Sequence, residues 1–99
     1  MIDLAKLDES LLIARGSYSS VRSEHEDQLK RLQILSGQLQ SAASQVLKRM
    51  QPDGMQVPEP VDSLIAEARL VLKQMEDCSK EIISLAEQRK ELYPRAWPK

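Results

Sequence analysis

A seven-residue repeat of apolar side chains runs almost without interruption through the first half of the chain. From Leu4 to Arg49, alternate steps of three and four residues meet fourteen positions, of which eleven are apolar. A 3.5-residue period held this long is typical of helices that supercoil around each other through a narrow seam. This first seam consists of Leu4, Leu7, Leu11, Ala14, Tyr18, Val21, His25, Gln28, Leu32, Leu35, Leu39, Ala42, Val46 and Arg49. The pattern predicts a helix over residues 3–50.

A second seam of the same period occupies the last third of the chain. Its nine positions, eight of them apolar, are Leu64, Ala68, Val71, Met75, Cys78, Ile82, Leu85, Arg89 and Leu92. The apolar stripe is widened by Ile65, Leu72, Ile83 and Ala86, which indicates a helix that touches more than one neighbour. Pro60 suits the first position of this helix, and Pro94 disfavours a helical residue before it. We therefore predict a helix over residues 60–92 and a short tail over 93–99.

The residues between the two seams, 51–59, form a linker. Pro52 removes a backbone donor, and it is followed by Asp53 and Gly54, which favour a turn. At ~1.5 Å per residue the two helices are roughly 70 Å and roughly 50 Å long, and so short a linker requires them to run antiparallel. The sequence thus predicts an all-α fold, a long coiled-coil-like helical hairpin that forms a single domain over residues 1–99.

The unequal helix lengths leave the start of the first helix without a neighbour from its own chain. If Tyr18 lies near Leu92, residues 3–17 overhang with their leucines bare. Gly16 costs about 1 kcal/mol relative to Ala in a helix interior, so the chain could fold back there as a short third helix. The heptad phase crosses Gly16 unbroken, which favours a continuous helix. In that case a second copy is expected to cover the overhang, and the pair would form a four-helix bundle dimer.

Composition limits the classes of function. Acidic and basic residues nearly balance, with a formal charge of −1, and neither sign is clustered, so nucleic acid and anionic lipid are not expected partners. No apolar run approaches the ~20 residues of a membrane span, and the first residues lack the order of a signal peptide. The single cysteine, Cys78, allows no internal disulfide and fits a reducing compartment. We expect a cytoplasmic protein.

Catalytic motifs are missing from the sequence. It has no Gly-rich phosphate loop, nucleophile elbow or CxxC pair, and the three aromatic residues could line little of a pocket. Cys78 lies on the seam, where Cys behaves as a small apolar residue rather than as a reactive thiolate. We expect no enzyme activity, no cofactor and no metal.

His25 and Gln28 are the polar positions inside the first seam. A lone His could be a metal ligand or a pH-sensitive element, but no second ligand stands at zinc-binding spacing. Polar residues on an apolar seam more often fix the register of the helices. We interpret His25 and Gln28 as a polar layer that sets this register.

Arg95 and Trp97 belong to the predicted tail, where Trp97 stands between two prolines. Trp and Arg are enriched at interface hot spots, so both are candidates for docking a partner. The alternative is a cap, in which Trp97 tucks against the open end of the hairpin near Tyr18 and Tyr93.

Taken together, these patterns favour a non-enzymatic protein–protein interaction module: an adaptor, a complex subunit or an inhibitor of a larger protein machine. It would act through helix–helix packing on a protein partner and assemble as a homodimer or a hetero-oligomer. An alternative is a nucleic-acid-associated factor whose basic doublets, such as Lys48-Arg49, align only on dimerisation.

Overall fold

The structure is a computed structural model that describes the backbone of residues 4–51 and 54–98, with side chains from Glu9 onward. Two helices account for most of it, α1 over Leu4–Met50 and α2 over Asp62–Ala96. These described residues contain no strand, so the predicted all-α fold is confirmed. They form two compact units, one within Met1–Leu29 and Lys80–Lys99 (unit 1) and one within Lys30–Ser79 (unit 2).

Several predictions fall on positions outside this description. The side chains of Leu4 and Leu7, which open the first seam, lie outside it, and so do Pro52 and Asp53 of the predicted turn.

Helix α1 passes through Gly16 without a break, so the alternative of a third helix that folds back there is not formed. A Cβ atom added at Gly16 would meet nothing within 4 Å. No close contact therefore requires glycine at this position. The intrinsic penalty of about 1 kcal/mol is small beside the interactions along a helix of 47 residues.

The linker ends slightly later than predicted. Gly54 has a φ of 70°, a left-handed conformation that glycine adopts without steric cost. The amide of Ile65 donates to the carbonyl of Val61 at 2.9 Å, which makes Val61 the N-cap residue. Helix α2 thus begins at Asp62, two residues after the predicted start at Pro60. Pro60 precedes the cap instead of occupying the first turn.

The predicted end of α2 at Leu92 is wrong, because the helix continues through Pro94 to Ala96. Pro94 removes one helical donor, but the chain beyond it stays helical, and the amide of Trp97 donates to the carbonyl of Tyr93 at 3.0 Å. Ala96 is fully buried, and its carbonyl accepts a hydrogen bond from Nε of Arg15 at 3.0 Å. Contacts with α1 hold the last turn where local rules predict an end.

Unit 2 contains the end of α1, the linker and the start of α2, which form a helical hairpin, as predicted. Its most buried side chains are Leu35, Ala42, Leu64 and Cys78. Half-buried seam positions between them are Leu32, Leu39, Val46, Ala68, Val71 and Met75. Near the linker, Nε of Arg49 lies 3.9 Å from the Glu59 carboxylate, an exposed ion pair between the end of α1 and the linker.

Unit 1 pairs the first part of α1 with the last part of α2. Arg15 contacts Ala96, and His25 contacts Arg89, so residue numbers rise along one helix as they fall along the other. The segments therefore run antiparallel. Tyr18, Leu85 and Ala96 are buried between them.

Within residues 4–51 and 54–98, neither helix contains a stretch that is long and apolar enough to cross a membrane.

We expect Leu35→Asp to destabilise the fold far more than Lys30→Asp. Leu35 is 5% exposed, and an unpaired carboxylate there costs several kcal/mol or separates the helices. Lys30 is exposed, where a substitution usually changes stability by about 0.5 kcal/mol or less. Thermal unfolding followed by circular dichroism measures both. Equal melting of the two variants would mean that the helix faces are wrongly assigned.

Candidate interaction surfaces

The seam residues that the sequence singles out lie at the contacts between α1 and α2 within each unit. In unit 1 they include Leu11, Tyr18, Val21, His25, Gln28, Ile82 and Leu85, all buried or half-buried. By contrast Leu12 and Ile13, the next residues after Leu11, are largely exposed. The seam is therefore narrow, and apolar side chains one position away from it reach solvent.

Arg89 is the centre of a polar layer in unit 1. One guanidinium nitrogen, Nη1, lies 2.8 Å from Nδ1 of His25, and the other, Nη2, donates to the Tyr18 hydroxyl at 3.1 Å. The guanidinium carbon is 5.5 Å from the centroid of the Tyr18 ring. One half-buried cation on α2 thus joins two residues of α1 that are seven positions apart.

The contact with Arg89 determines which ring nitrogen of His25 accepts a hydrogen bond. Arginine has only donors, so in this hydrogen bond the Nδ1 atom of His25 is the acceptor. The sequence predicts that His25 and Gln28 form a polar layer that sets register. In the structure His25 contacts Arg89 of α2, a cross-helix contact of the kind that can fix register, and the register-setting role stays a prediction.

Three aromatic rings cluster beside this layer. The Tyr18 ring meets Tyr93 with centroids 5.7 Å apart and Trp97 with centroids 5.1 Å apart, both edge to face. Tyr93 and Trp97 are 5.3 Å apart and tilted by 33°. Edge-to-face pairs at these distances contribute about 0.5–1.5 kcal/mol each beyond the area that they bury.

Arg15 completes the cluster from the side of α1. Its guanidinium carbon lies 5.6 Å from the centroid of the Trp97 ring, within the range of a cation–π contact. Its Nε atom donates to the carbonyl of Ala96, one of the helix-terminal acceptors that lack an intrahelical donor. A single side chain of α1 therefore binds both the backbone end of α2 and the following ring.

Trp97 takes the position expected of a cap, next to Tyr18 and Tyr93, but it remains 40% exposed. The expectation that Pro94 keeps the tail out of the helix is wrong, since Pro94 lies inside α2. Arg95 is exposed on the last turn. The docking role of Arg95 and Trp97 stays a prediction.

A groove of ≈ 440 Å³ runs along this end of unit 1. Its lining residues are Tyr18, His25, Ala86, Arg89, Lys90, Tyr93 and Pro94. The groove is open and mostly apolar, with Lys90 as the exposed charge on its rim. Such a surface suits the apolar face of a peptide or helix better than an enclosed small molecule.

A second hollow, of ≈ 780 Å³, belongs to unit 2, and its surface is polar and apolar in equal parts. Its lining residues are Gln45, Lys48, Arg49, Gln51, Gln56, Val57 and Glu59. The basic doublet of the nucleic-acid alternative lies here. Because Arg49 is within 3.9 Å of the Glu59 carboxylate, half of that doublet already faces an acid.

The described side chains offer little for other chemistry. No group of three or more His, Cys, Asp or Glu among them could hold a metal ion. Cys78 is buried on the seam of unit 2, away from the exposed surfaces.

Sequence reasoning missed the roles of Arg15 and Arg89. A signal for Arg89 exists, because it is the polar interruption of the second seam, as His25 is of the first. In the antiparallel pairing that places Tyr18 near Leu92, Arg89 falls within about one helical turn of His25. The pairing of the two interruptions could therefore have been predicted.

Comparison of this chain with models of protein families, with curated proteins and with solved structures found no match.

We expect Tyr18→Ala to lower the free energy of unfolding by about 3–5 kcal/mol, as for other buried aromatic truncations. Tyr18→Phe keeps the ring contacts and loses only the hydrogen bond from Arg89, so we expect a loss of about 1–2 kcal/mol. Urea denaturation measures both values. Trp97 is the single Trp, and its emission should move to longer wavelength in Tyr18→Ala alone. Equal losses in the two variants would show that the ring cluster contributes nothing.

Proposed function

We propose that this protein is a non-enzymatic protein–protein interaction module that works by helix–helix packing, as an adaptor, a complex subunit or an inhibitor of a larger machine. The observation that carries the proposal is the set of large apolar side chains left exposed beside the seam. On α2 these include Ile65, Leu70, Leu72 and Ile83, and on α1 Leu12, Ile13, Ile34 and Leu47. Exposed apolar side chains of this size are what a partner that packs on the helices would cover.

We also propose that two copies pair into a four-helix bundle. A pair of helices buries only the residues between them, and a chain of this size is marginal when it stays alone. A second pair of helices would cover apolar positions that one hairpin leaves exposed. A heterotypic partner that supplies the helices instead is the alternative assembly. A single cysteine in no disulfide favours the cytoplasm as the location.

Self-pairing predicts that the thermal midpoint rises with protein concentration, because association stabilises the folded state by mass action. Circular dichroism melts over a hundredfold range of concentration measure this rise. Light scattering gives the assembly directly, and we expect twice the chain mass at tens of micromolar. A monomeric mass at that concentration would exclude the self-paired bundle and leave the heterotypic one.

A partner is best found by capture on the immobilised full chain followed by mass spectrometry. Comparison of the wild type with Trp97→Ala then tests the docking role of this end. We expect the variant to lose about 2–3 kcal/mol of stability, because a partly buried ring is truncated. At a temperature where both proteins are folded, we expect the complex to weaken by ~2 kcal/mol or more, as for a hot spot.

The exposed Glu91 on α2 provides the control for this comparison. Glu91→Ala should change neither stability nor binding by more than about 0.5 kcal/mol. If Trp97→Ala binds the captured protein as tightly as the wild type, Trp97 is a cap and not an anchor.

A further inference from the structure

The two flanks of the seam in unit 2 differ in chemistry. Along each helix, seam residues come in pairs that are three positions apart. When two helices pack antiparallel, the residue directly after such a pair on α1 lies beside the residue directly after a pair on α2. The residues directly before the pairs meet on the opposite side. On the first side these residues are Ser36, Ala43, Met50, Ile65, Leu72 and Ser79, here called the apolar flank. On the other side they are Arg31, Gln38, Gln45, Glu67 and Gln74. One flank carries no charge and four apolar residues, and the other is entirely polar.

Along the apolar flank, α1 carries small side chains and α2 carries large ones. In its central part α1 contributes the small residues Ser36 and Ala43, while α2 contributes Ile65 and Leu72, which are 38% and 50% exposed. The flank is therefore a ridge on α2 beside a trough on α1. This difference in height is the feature that a packed partner must match.

The register of unit 2 aligns the ridge with the trough. Arg49 pairs with Glu59, and the two helices run in opposite directions from that contact. From the linker outward, the central residues of this flank on α1 are Ala43 and then Ser36, and those on α2 are Ile65 and then Leu72, in each case one heptad apart. Two small residues on α1 therefore run beside two large ones on α2.

We propose that a second copy of this chain packs on the apolar flank, with the ridge of each copy in the trough of the other. The inference rests on the self-pairing proposed above and names its surface. A two-fold axis parallel to the helices places the Ile65–Leu72 ridge of each copy opposite the Ser36–Ala43 trough of the other. An interface of this kind must be complementary to itself, and a ridge beside a trough of equal length satisfies that condition.

The opposite arrangement, in which α2 packs on α2 of the other copy, is less favourable. It sets ridge against ridge, with Leu72 and Ile65 of both copies in one layer, and leaves the troughs facing each other as voids. Voids forfeit dispersion contacts. The lack of charge on the apolar flank means that two copies approach without repulsion between like charges.

The two-helix face that carries the apolar flank approaches the size of a standard interface. Two packed helices, each about 10 Å across, present a face about 20 Å wide, and twenty residues at ~1.5 Å extend it for about 30 Å. The projected area is about 600 Å², and the accessible area of its side chains is larger. A standard interface buries about 800 Å² on each partner.

The decisive experiment compares Leu72→Lys with Leu70→Lys by sedimentation velocity of the full chain. Both leucines lie on α2 in unit 2, and Leu70 is 59% exposed but points away from the apolar flank. We expect Leu72→Lys to raise the dimer dissociation constant by about 30-fold or more, because an unpaired charge would be buried. Leu70→Lys should leave this constant within about threefold of the wild type.

A second pair of variants tests the trough and adds no charge. Ala43→Trp fills it, and the neighbouring Ser44, which faces outward, provides the control Ser44→Trp. We expect a rise of about tenfold or more in the dissociation constant for Ala43→Trp, since overpacking an interface core disrupts it, and no comparable change for Ser44→Trp. Circular dichroism confirms that each variant keeps its helices.

The outcomes separate this inference from the self-pairing on which it rests. Weakened dimers in both Leu72→Lys and Ala43→Trp support it. If the wild type is a dimer and Leu70→Lys weakens it as much as Leu72→Lys does, the choice of flank is overturned while self-pairing stands. A loss in Leu72→Lys without a loss in Ala43→Trp overturns the ridge-in-trough arrangement. A monomeric wild type, with the flank taken by another protein, overturns both proposals.

Discussion

The narrow seam between α1 and α2 is the constraint on which the other features of this protein depend. A 3.5-residue repeat buries one stripe of each helix, and the chain has no Phe and three aromatic residues with which to thicken it. Apart from Tyr18, the described side chains that are buried between the helices are small or medium-sized, such as Leu35, Leu64 and Leu85. Apolar residues beside the seam therefore stay in contact with solvent unless another surface covers them.

A seam of leucines and alanines holds helices together but discriminates poorly between registers, because a shift by one heptad produces similar contacts. In unit 1 the contacts of the polar layer depend on the register. A shift by one heptad would separate Arg89 from His25 and from the Tyr18 hydroxyl, which are acceptors for this half-buried cation. The contacts within the ring cluster of Tyr18, Tyr93 and Trp97 depend on the register in the same way.

Periodicity predicted the two helices, the linker and the all-α fold, since these depend on patterns that are local in sequence. Local rules failed at the end of α2. Pro94 predicts a stop there, but the buried Ala96 and its hydrogen bond from Arg15 are contacts between residues 81 positions apart. Rules that consider only neighbouring residues cannot predict such a contact. His25 was singled out from the sequence, but its contact with Arg89 on the other helix was not predicted.

The heptad position directly after each pair of seam residues on α1 carries different kinds of side chain in the two units. In unit 1 the position is Arg15, whose side chain contacts the Trp97 ring and the carbonyl of Ala96. In unit 2 the equivalent positions are Ser36 and Ala43, too small to cover Ile65 and Leu72 beside them. A long polar side chain in place of Ala43 could cover that ridge with its stem. Small residues there instead leave the side chains of the ridge exposed within unit 2.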